Sequence, residues 1–157
     1  MAKKYWLFKS EPDCFSIDDL KKLPGQRSSW DGVRNYQARN MLRDDIKTGD
    51  EVFFYYSNTK IPGIAGICTV VKDGYPDHTA QDPENIHFDP KATKEKPIWY
   101  MVDVKFKEKF KDIISLTQLK EIPGLEEMVV VQRGSRLSIQ PVKTGEWKII
   151  TKLAKKM

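Results

Sequence analysis

Long apolar stretches, cysteine and histidine are all scarce in this 157-residue chain, and each scarcity excludes a class of protein. No apolar run approaches the roughly 18–20 residues of a membrane-spanning helix, so no membrane span is expected. A signal peptide needs an apolar region of about 7–15 residues after its basic N-terminus. Here the charged residues Lys9 and Glu11 follow the basic N-terminus too closely to leave such a region, so no signal peptide is expected. Cys14 and Cys68 lie far apart and in no metal-binding spacing. This favours a reduced intracellular protein, cytoplasmic or, in a eukaryote, nuclear.

The same scarcity argues against the common catalytic and metal sites. The only two histidines, His78 and His87, lie in a polar, proline-interrupted stretch at residues 72–97, where no regular element is predicted to hold acidic neighbours around them. A solvated acidic loop is expected there. Cys14 is either a reactive thiol or, as is commoner, a small buried side chain. The glycines of residues 63–66 have the wrong spacing for a phosphate-binding loop. We therefore predict no metal, no cofactor and no catalytic residue.

Aromatic side chains are the unusual feature that is present. The seventeen Trp, Tyr and Phe residues are concentrated at residues 5–8 and 53–56, which suggests adjacent strands that share one core. Residues 5–8 are apolar on both faces, which predicts a central strand covered on both sides. Gly66 within the predicted strand at residues 64–71 suggests a bulge or a close backbone approach. Further strands are predicted at residues 51–57 and 99–106.

Short helices are predicted between these strands. Ser16 and Ser115 each begin a capping-box pattern, and Thr144 is expected to cap a last helix. Apolar spacing predicts another helix at residues 35–44, after a turn at residues 30–32. Because the strands do not alternate with long helices, a doubly wound sheet is disfavoured. We predict one domain over residues 1–157, of the α+β class, with a partly open barrel of five to six strands and short helices inserted between them.

The formal net charge is +5, but most of it lies in one segment. Residues 143–157 hold five lysines and one glutamate, which leaves a net charge of only +1 for the rest of the chain. A basic balance indicates a nucleic-acid partner, and a solvated helix face explains the same charge equally well.

Three stretches place aromatic rings beside short polar groups, the composition that nucleobase sites need. They are residues 9–12, 30–40 and 53–58. Each also has a structural explanation, since a tryptophan or tyrosine can be an ordinary core residue and an arginine a surface charge. Composition alone leaves both readings open.

These stretches resemble the motifs of the EVE domain family of the PUA-like superfamily, the bacterial relatives of thymocyte nuclear protein. The matches are YWLFKSEP at residues 5–12, WDGVRNYQARN at 30–40, the segment 49–66, and RGSRLSIQP at 133–141. The resemblance implies a PUA-like fold related to YTH and ASCH domains. It also implies a non-catalytic module that reads a modified nucleobase, a modified cytosine in DNA or a modified base in RNA, in an aromatic pocket.

The resemblance also implies roles for individual residues. Trp30 would form a stacking wall, Ser10 and Asn35 would meet the base edge, and Tyr56 and Ser57 would close the far side. Glu11 would accept from an exocyclic amine or pair with a nearby arginine. Contacts to phosphates, which position without specifying, are expected from Lys9, Arg34, Arg39, Arg133 and Arg136.

One position departs from the family pattern, because Tyr56 stands where many members carry His. Tyrosine keeps an aromatic face and a polar tip but loses a group that titrates near neutral pH. Two other functions stay open: a small enzyme acting on a nucleotide or a related small molecule through Glu11 and Lys9, and a protein-interaction module. The expected partner is nucleic acid with a modified base, and the sequence leaves monomer and weak dimer open.

Overall fold

The computed structural model describes residues 3–134 and 136–157, and a six-stranded mixed sheet forms its centre. The strands are β1 (Tyr5–Ser10), β2 (Arg27–Trp30), β3 (Glu51–Tyr56), β4 (Gly63–Pro76), β5 (Tyr100–Ser115) and β6 (Ile139–Val142). Their order is β2-β5-β4-β3-β1-β6. Only the β1–β3 pair is parallel among the pairings of the described residues. Since β2 and β6 are the two edges, the sheet is not closed, as the partly open architecture predicted.

Short helices fill the connections, as the sequence predicted. They are α1 (Ile17–Lys22), α2 (Tyr36–Asn40), α3 (Leu116–Glu121) and α4 (Thr144–Lys156). A π-helical turn, Met41–Asp45, continues α2, and short 3₁₀ turns lie at Pro24–Gln26, His78–Gln81 and Val129–Val131. Both predicted capping boxes, at the starts of α1 and α3, are formed.

Strand β1 divides the core into two layers. Trp6 and Phe8 pack on one side of the sheet with α1 and α2, while Leu7 packs on the other side with α3 and α4. All three side chains are buried, and each contributes roughly 1.5–3 kcal/mol through removal from water. The predicted central strand with two apolar faces is confirmed.

Gly66 lies at a close backbone approach, as predicted. A Cβ atom there would lie 2.2 Å from the carbonyl oxygen of Glu108 and 2.2 Å from Cδ1 of Ile17. The β4–β5 register also shifts between Ile64 and Gly66. The glycine therefore allows α1 to pack directly onto the sheet at a bulge.

Two strands are longer than predicted. β4 continues to Pro76, which shortens the loop expected at residues 72–97, and β5 continues beyond Phe106 to Ser115. The second half of β5 pairs with β4, whereas β2 pairs only with its first half. Most side chains of residues 107–112 are exposed, so this part of the sequence is charged and resembles a loop.

Two local predictions were wrong. Trp30, placed in a turn, is the last residue of edge strand β2, which pairs with β5 and is too short for its alternation to stand out. Thr144 does not cap α4. Lys143 occupies the N-cap position, and its backbone N–H donates to the Glu146 carboxylate at 2.9 Å.

The basic C-terminal segment is a solvated helix face. Lys148, Lys152, Lys155 and Lys156 are all exposed on α4, while Trp147 and Ile150 are buried beneath them. In the described parts of the chain, no helix has the length and apolar character to cross a membrane.

Candidate functional site

A pocket of about 360 Å³ opens where the end of β1 faces the edge strand β2. These two strands are not neighbours in the sheet, and the pocket occupies a gap between them. We call it the Trp30 pocket. It is lined by Lys9, Ser10, Cys14, Phe15, Ser28, Ser29, Trp30, Asp31 and His87.

The inner wall of the Trp30 pocket is a cluster of aromatic rings. The Trp30 ring centroid lies 5.2 Å from that of Phe8 and 5.3 Å from that of Phe54, in a T-shaped contact with the latter. Phe15 packs edge-on at 6.2 Å and is half-buried. Because Trp30 is only 7% exposed, its ring is held rigidly by the core while one part of it faces the cavity.

Short polar side chains form the rim. The Ser10 hydroxyl donates to the carbonyl oxygen of Phe15 at 2.7 Å, and the Ser29 hydroxyl donates to the Asp31 carboxylate at 3.1 Å. Ser28 donates to the Ser29 carbonyl at 3.0 Å. The Asp31 carboxylate is exposed. The rim therefore presents an anionic acceptor and hydroxyl lone pairs next to apolar rings.

A buried ion pair fixes the segment that follows Trp30. The fully buried Asp77 carboxylate accepts from the backbone N–H of Gly32 at 2.8 Å and from Nη1 of Arg34 at 3.0 Å. It also accepts from the backbone N–H of Thr79 at 2.8 Å. Burial opposes ionisation of Asp77, but the hydrogen bonds from Thr79, Gly32 and Arg34 outweigh it and hold the pKa of this carboxyl below its ordinary value.

Arg34 also binds the segment around His87, on the other side of the pocket. Its Nη2 donates to the carbonyl oxygen of His87 at 2.7 Å and its Nε donates to the same oxygen at 3.2 Å. The guanidinium also lies over the Trp99 ring, 5.4 Å from the centroid. The segment around His87 is therefore held against the Trp30 motif and is not the solvated loop that the sequence predicted.

Gly32 is the point of closest contact between these two segments. Its φ of +79° belongs to the left-handed region that favours glycine. A Cβ atom at this position would lie 2.6 Å from Nε2 of His87. The glycine is thus required both by its backbone conformation and by the imidazole packed against it.

Some predicted base contacts lie elsewhere. Glu11 is exposed and does not line the pocket; it accepts from Asn58 at 2.8 Å and from the Cys14 thiol at 3.5 Å. Asn35 caps α2, where its side chain accepts from the Ala38 N–H. The Tyr56 hydroxyl accepts from the backbone N–H of Ile17 at 3.0 Å, and burial raises the pKa of its phenol.

Ser57 donates its backbone N–H to the Ser10 carbonyl at 3.0 Å, so it supports the strand end that carries Ser10. Of the six residues predicted for the base pocket, Ser10 and Trp30 line the cavity.

The predicted phosphate contacts also divide into two groups. Arg34 and Arg39 serve the fold: Arg39 donates from Nη1 to the Ile98 carbonyl at 2.7 Å and lies over the Tyr36 ring. Lys9 lines the Trp30 pocket, while Arg133 lines a neighbouring cavity, and Arg136 is exposed. Ser135, between the last two, lies outside the described residues.

Sequence reasoning missed half of the rim. Ser28, Ser29 and His87 carry no spacing signal, because an edge strand and a distant segment bring them together, while Asp31 lies within the motif at residues 30–40 but was assigned no role. Cys14 is exposed at the pocket and not buried, and its hydrogen bond to Glu11 raises the pKa of the thiol. Within residues 3–134 and 136–157, no group of three or more His, Cys, Asp or Glu side chains could hold a metal ion.

The Gly32–His87 contact is testable with paired glycine substitutions. Gly49→Ala introduces a Cβ at positive φ with open space around it, and should cost about 1 kcal/mol of unfolding free energy. Gly32→Ala adds the overlap with His87 and should cost about 1–2 kcal/mol more. Urea unfolding of both variants measures the difference. Adding His87→Ala to the Gly32→Ala variant should remove the extra loss of unfolding free energy. If the extra loss persists, the imidazole is not its cause.

The Asp77 ion pair predicts a pH-dependent stability. Asp77→Asn should lower the unfolding free energy at pH 7 by about 3 kcal/mol, since it leaves Arg34 without a buried counter-charge. Because the pKa of Asp77 is lowered in the folded state, the wild-type advantage should shrink as the pH falls below about 4. Urea unfolding between pH 7 and 3 checks this, with the exposed Asp112→Asn as control. A wild-type advantage that stayed constant across this range would contradict the ion pair.

Comparisons with known proteins agree with this architecture. A family model described as the EVE domain matches residues 4–153. Thymocyte nuclear protein 1 of Homo sapiens is 46% identical over 169 residues, which cover 97% of this chain and 74% of that protein. The same protein of Danio rerio is 44% identical, over 94% of this chain and 71% of that protein.

Solved structures extend the comparison to three dimensions. A Pseudomonas syringae protein superposes with a TM-score of 0.91 at 52% identity, over 96% of this chain and 99% of that one. Human THYN1 protein, solved in complex with DNA containing 5-methylcytosine, has a TM-score of 0.91 at 45% identity, over 99% of both chains. An ASCH protein of Zymomonas mobilis, 9% identical with a TM-score of 0.55 over 96% of this chain and 99% of that one, shares the fold alone. These likenesses confirm the predicted α+β, PUA-like architecture, and the chain belongs to the EVE domain family.

Proposed function

We propose that this chain is a non-catalytic binding module that holds a modified cytosine of DNA in the Trp30 pocket. The observation that carries the proposal is the pocket itself, an aromatic wall at Trp30 and Phe15 beside the Asp31 carboxylate. Its relevance to DNA comes from human THYN1 protein, which was solved in complex with 5-methylcytosine DNA and whose structure this chain matches over 99% of both chains.

The chemistry of the rim fits cytosine. An acidic side chain accepts a hydrogen bond from the exocyclic N4 amine of cytosine, and Asp31 is the one carboxylate among the lining residues. Stacking on an aromatic side chain contributes roughly 1–3 kcal/mol per base. A base in duplex DNA must leave the stack to reach such a pocket, at a cost of a few kcal/mol. Stacking and the amine contact together offset that cost.

The aromatic wall accounts for a preference for the modified base. A 5-methyl group that packs against Phe15 or Trp30 gains about 0.8 kcal/mol from burial, which is about fourfold in affinity. We therefore expect the methylated base to bind several-fold more tightly than cytosine.

The residues suggested for catalysis do not meet in this pocket. Lys9 lines it, but Glu11 is exposed and bonded to Asn58. This favours binding over turnover. Mass spectrometry of a 5-methylcytosine oligonucleotide after prolonged incubation with the protein should show an unchanged mass, and any enzyme-dependent mass change would contradict a purely binding role.

Fluorescence polarisation with matched oligonucleotides tests the binding role. The set holds cytosine, 5-methylcytosine, 5-hydroxymethylcytosine and N6-methyladenine in single- and double-stranded DNA and in RNA, at fixed salt. We expect 5-methylcytosine DNA to bind about fourfold more tightly than its unmodified parent. Equal affinity for all of the oligonucleotides would reject base reading, and a preference confined to RNA would reassign the polymer.

Asp31→Asn is the most informative variant for the pocket. Trp30→Ala is less suitable, because truncating this core ring would cost about 3–5 kcal/mol of stability. Removing a negative charge should by itself strengthen DNA binding, as the exposed control Asp112→Asn should show. Replacing the charged acceptor by a neutral amide oxygen weakens the hydrogen bond from the amine, and should instead weaken binding of Asp31→Asn to both cytosine DNAs by about tenfold. Stronger binding by Asp31→Asn would show that this carboxylate does not contact the base.

A further inference from the structure

A second cavity adjoins the Trp30 pocket. It has a volume of about 420 Å³, and we call it the Arg133 pocket. It is lined by Lys9, Tyr55, Leu116, Lys120, Val130, Val131, Gln132, Arg133 and Gly134. Sequence motifs singled out Lys9 and Arg133, but nothing in them pointed to a cavity between the two or to Lys120 on α3.

The two cavities meet at the side chain of Lys9, which lines both. Lys9 lies at the carboxyl end of β1, one residue before the end of the strand. Trp30 belongs to the core layer on one side of the sheet, and Tyr55 and Val130 belong to the layer on the other side. Lys9 therefore lies between the two cavities at the end of β1, and a ligand that spans both must pass it.

The charges of the two cavities differ. The Arg133 pocket is lined by three cationic side chains, Lys9, Lys120 and Arg133, and by no carboxylate among the described residues. The Trp30 pocket contains the Asp31 carboxylate. An anionic group therefore favours the Arg133 pocket, and an amine-bearing base favours the Trp30 pocket.

The remaining lining of the Arg133 pocket is apolar. Leu116, Val130 and Val131 form its wall, together with Tyr55, which is only 3% exposed. The Gln132 amide donates to the Glu126 carbonyl, which fixes the orientation of its side chain. A cationic rim beside an apolar wall matches a nucleoside phosphate, whose charge and apolar ring faces lie close together.

We propose that the Arg133 pocket binds the phosphodiester and the neighbouring nucleoside on one side of the modified base, so that the ligand of this chain is a dinucleotide step. This inference rests on the proposed function of the Trp30 pocket. The phosphodiester lies between Lys9, Lys120 and Arg133, and the neighbouring nucleoside lies against the apolar wall. Burial lowers the pKa of Lys9 in the free protein, and a phosphate beside it would favour the charged form.

Short ligands separate the two subsites. The probes are 5-methyl-2′-deoxycytidine, its 3′- and 5′-monophosphates, and dinucleotides extended on either side. We expect a phosphate on one side to strengthen binding clearly and a phosphate on the other side to have little effect. Extension on the favoured side should add further affinity. Equal affinities of the two monophosphates and of the two dinucleotides would overturn the proposal.

Variants that remove positive charge test whether the gain in affinity from the phosphate comes from the Arg133 pocket. The double variant Lys120→Ala/Arg133→Ala is compared with Lys148→Ala/Lys152→Ala, which removes the same charge from the exposed face of α4. For a 5-methylcytosine oligonucleotide, each lost phosphate contact should lower the slope of log affinity against log salt by about 1. We expect a decrease of about 1 for the pocket variant, because both side chains contact the same phosphodiester, together with no decrease for the control and an unchanged preference for 5-methylcytosine over cytosine.

The outcomes distinguish the two proposals. If wild-type protein does not discriminate 5-methylcytosine from cytosine, the base-reading function itself fails. If discrimination is present but the pocket variant matches the α4 control in salt slope and in dinucleotide affinity, only the Arg133 subsite is wrong. Circular dichroism of both double variants checks that they fold, and since all four side chains are exposed, little change in stability is expected.

Discussion

The buried carboxylate of Asp77 is the contact on which the geometry of the site depends. It binds the Gly32 N–H and the Arg34 guanidinium, and Arg34 in turn binds the His87 carbonyl. An ionised carboxylate in the interior is stable only when such donors surround it. The same donors therefore hold together two segments about fifty residues apart, and His87 faces the pocket as a consequence.

The order of the strands explains where the pocket lies. The end of β1 faces β2, but the two are not hydrogen-bonded neighbours in the sheet, so a gap lies between them. Here the gap is lined by hydroxyls, one carboxylate and the edge of a packed aromatic cluster. The rigid core beneath Trp30 gives a preorganised wall, which lowers the entropy cost of binding a flat ligand.

Much of the fold could be predicted from the sequence, because local patterns encode it. The two apolar faces of β1, the capping boxes of α1 and α3 and the close approach at Gly66 each follow from a few adjacent residues. The limits of β4 and β5 did not follow, since their outer halves face solvent and lack an apolar alternation.

The site was predicted less well than the fold, for a related reason. Trp30, Asp31 and Ser10 belong to family motifs and line the cavity, whereas His87 reaches it only through long-range packing. The family resemblance implied ligand contacts for Arg34 and Asn35, and the fold also uses both, one in an ion pair and one as a helix cap. Arginines and amides are required by buried backbone groups as often as by ligands, and a sequence alone does not separate the two uses.

Contact between the modified base and the aromatic wall is the central claim, and nuclear magnetic resonance measures it directly. A DNA oligonucleotide carrying 5-methylcytosine with a ¹³C-labelled methyl group is bound to unlabelled protein, and isotope-filtered NOEs from that methyl are assigned. The account predicts NOEs to ring protons of Phe15 or Trp30. NOEs only to DNA protons, or only to protein residues outside the Trp30 pocket, would contradict it.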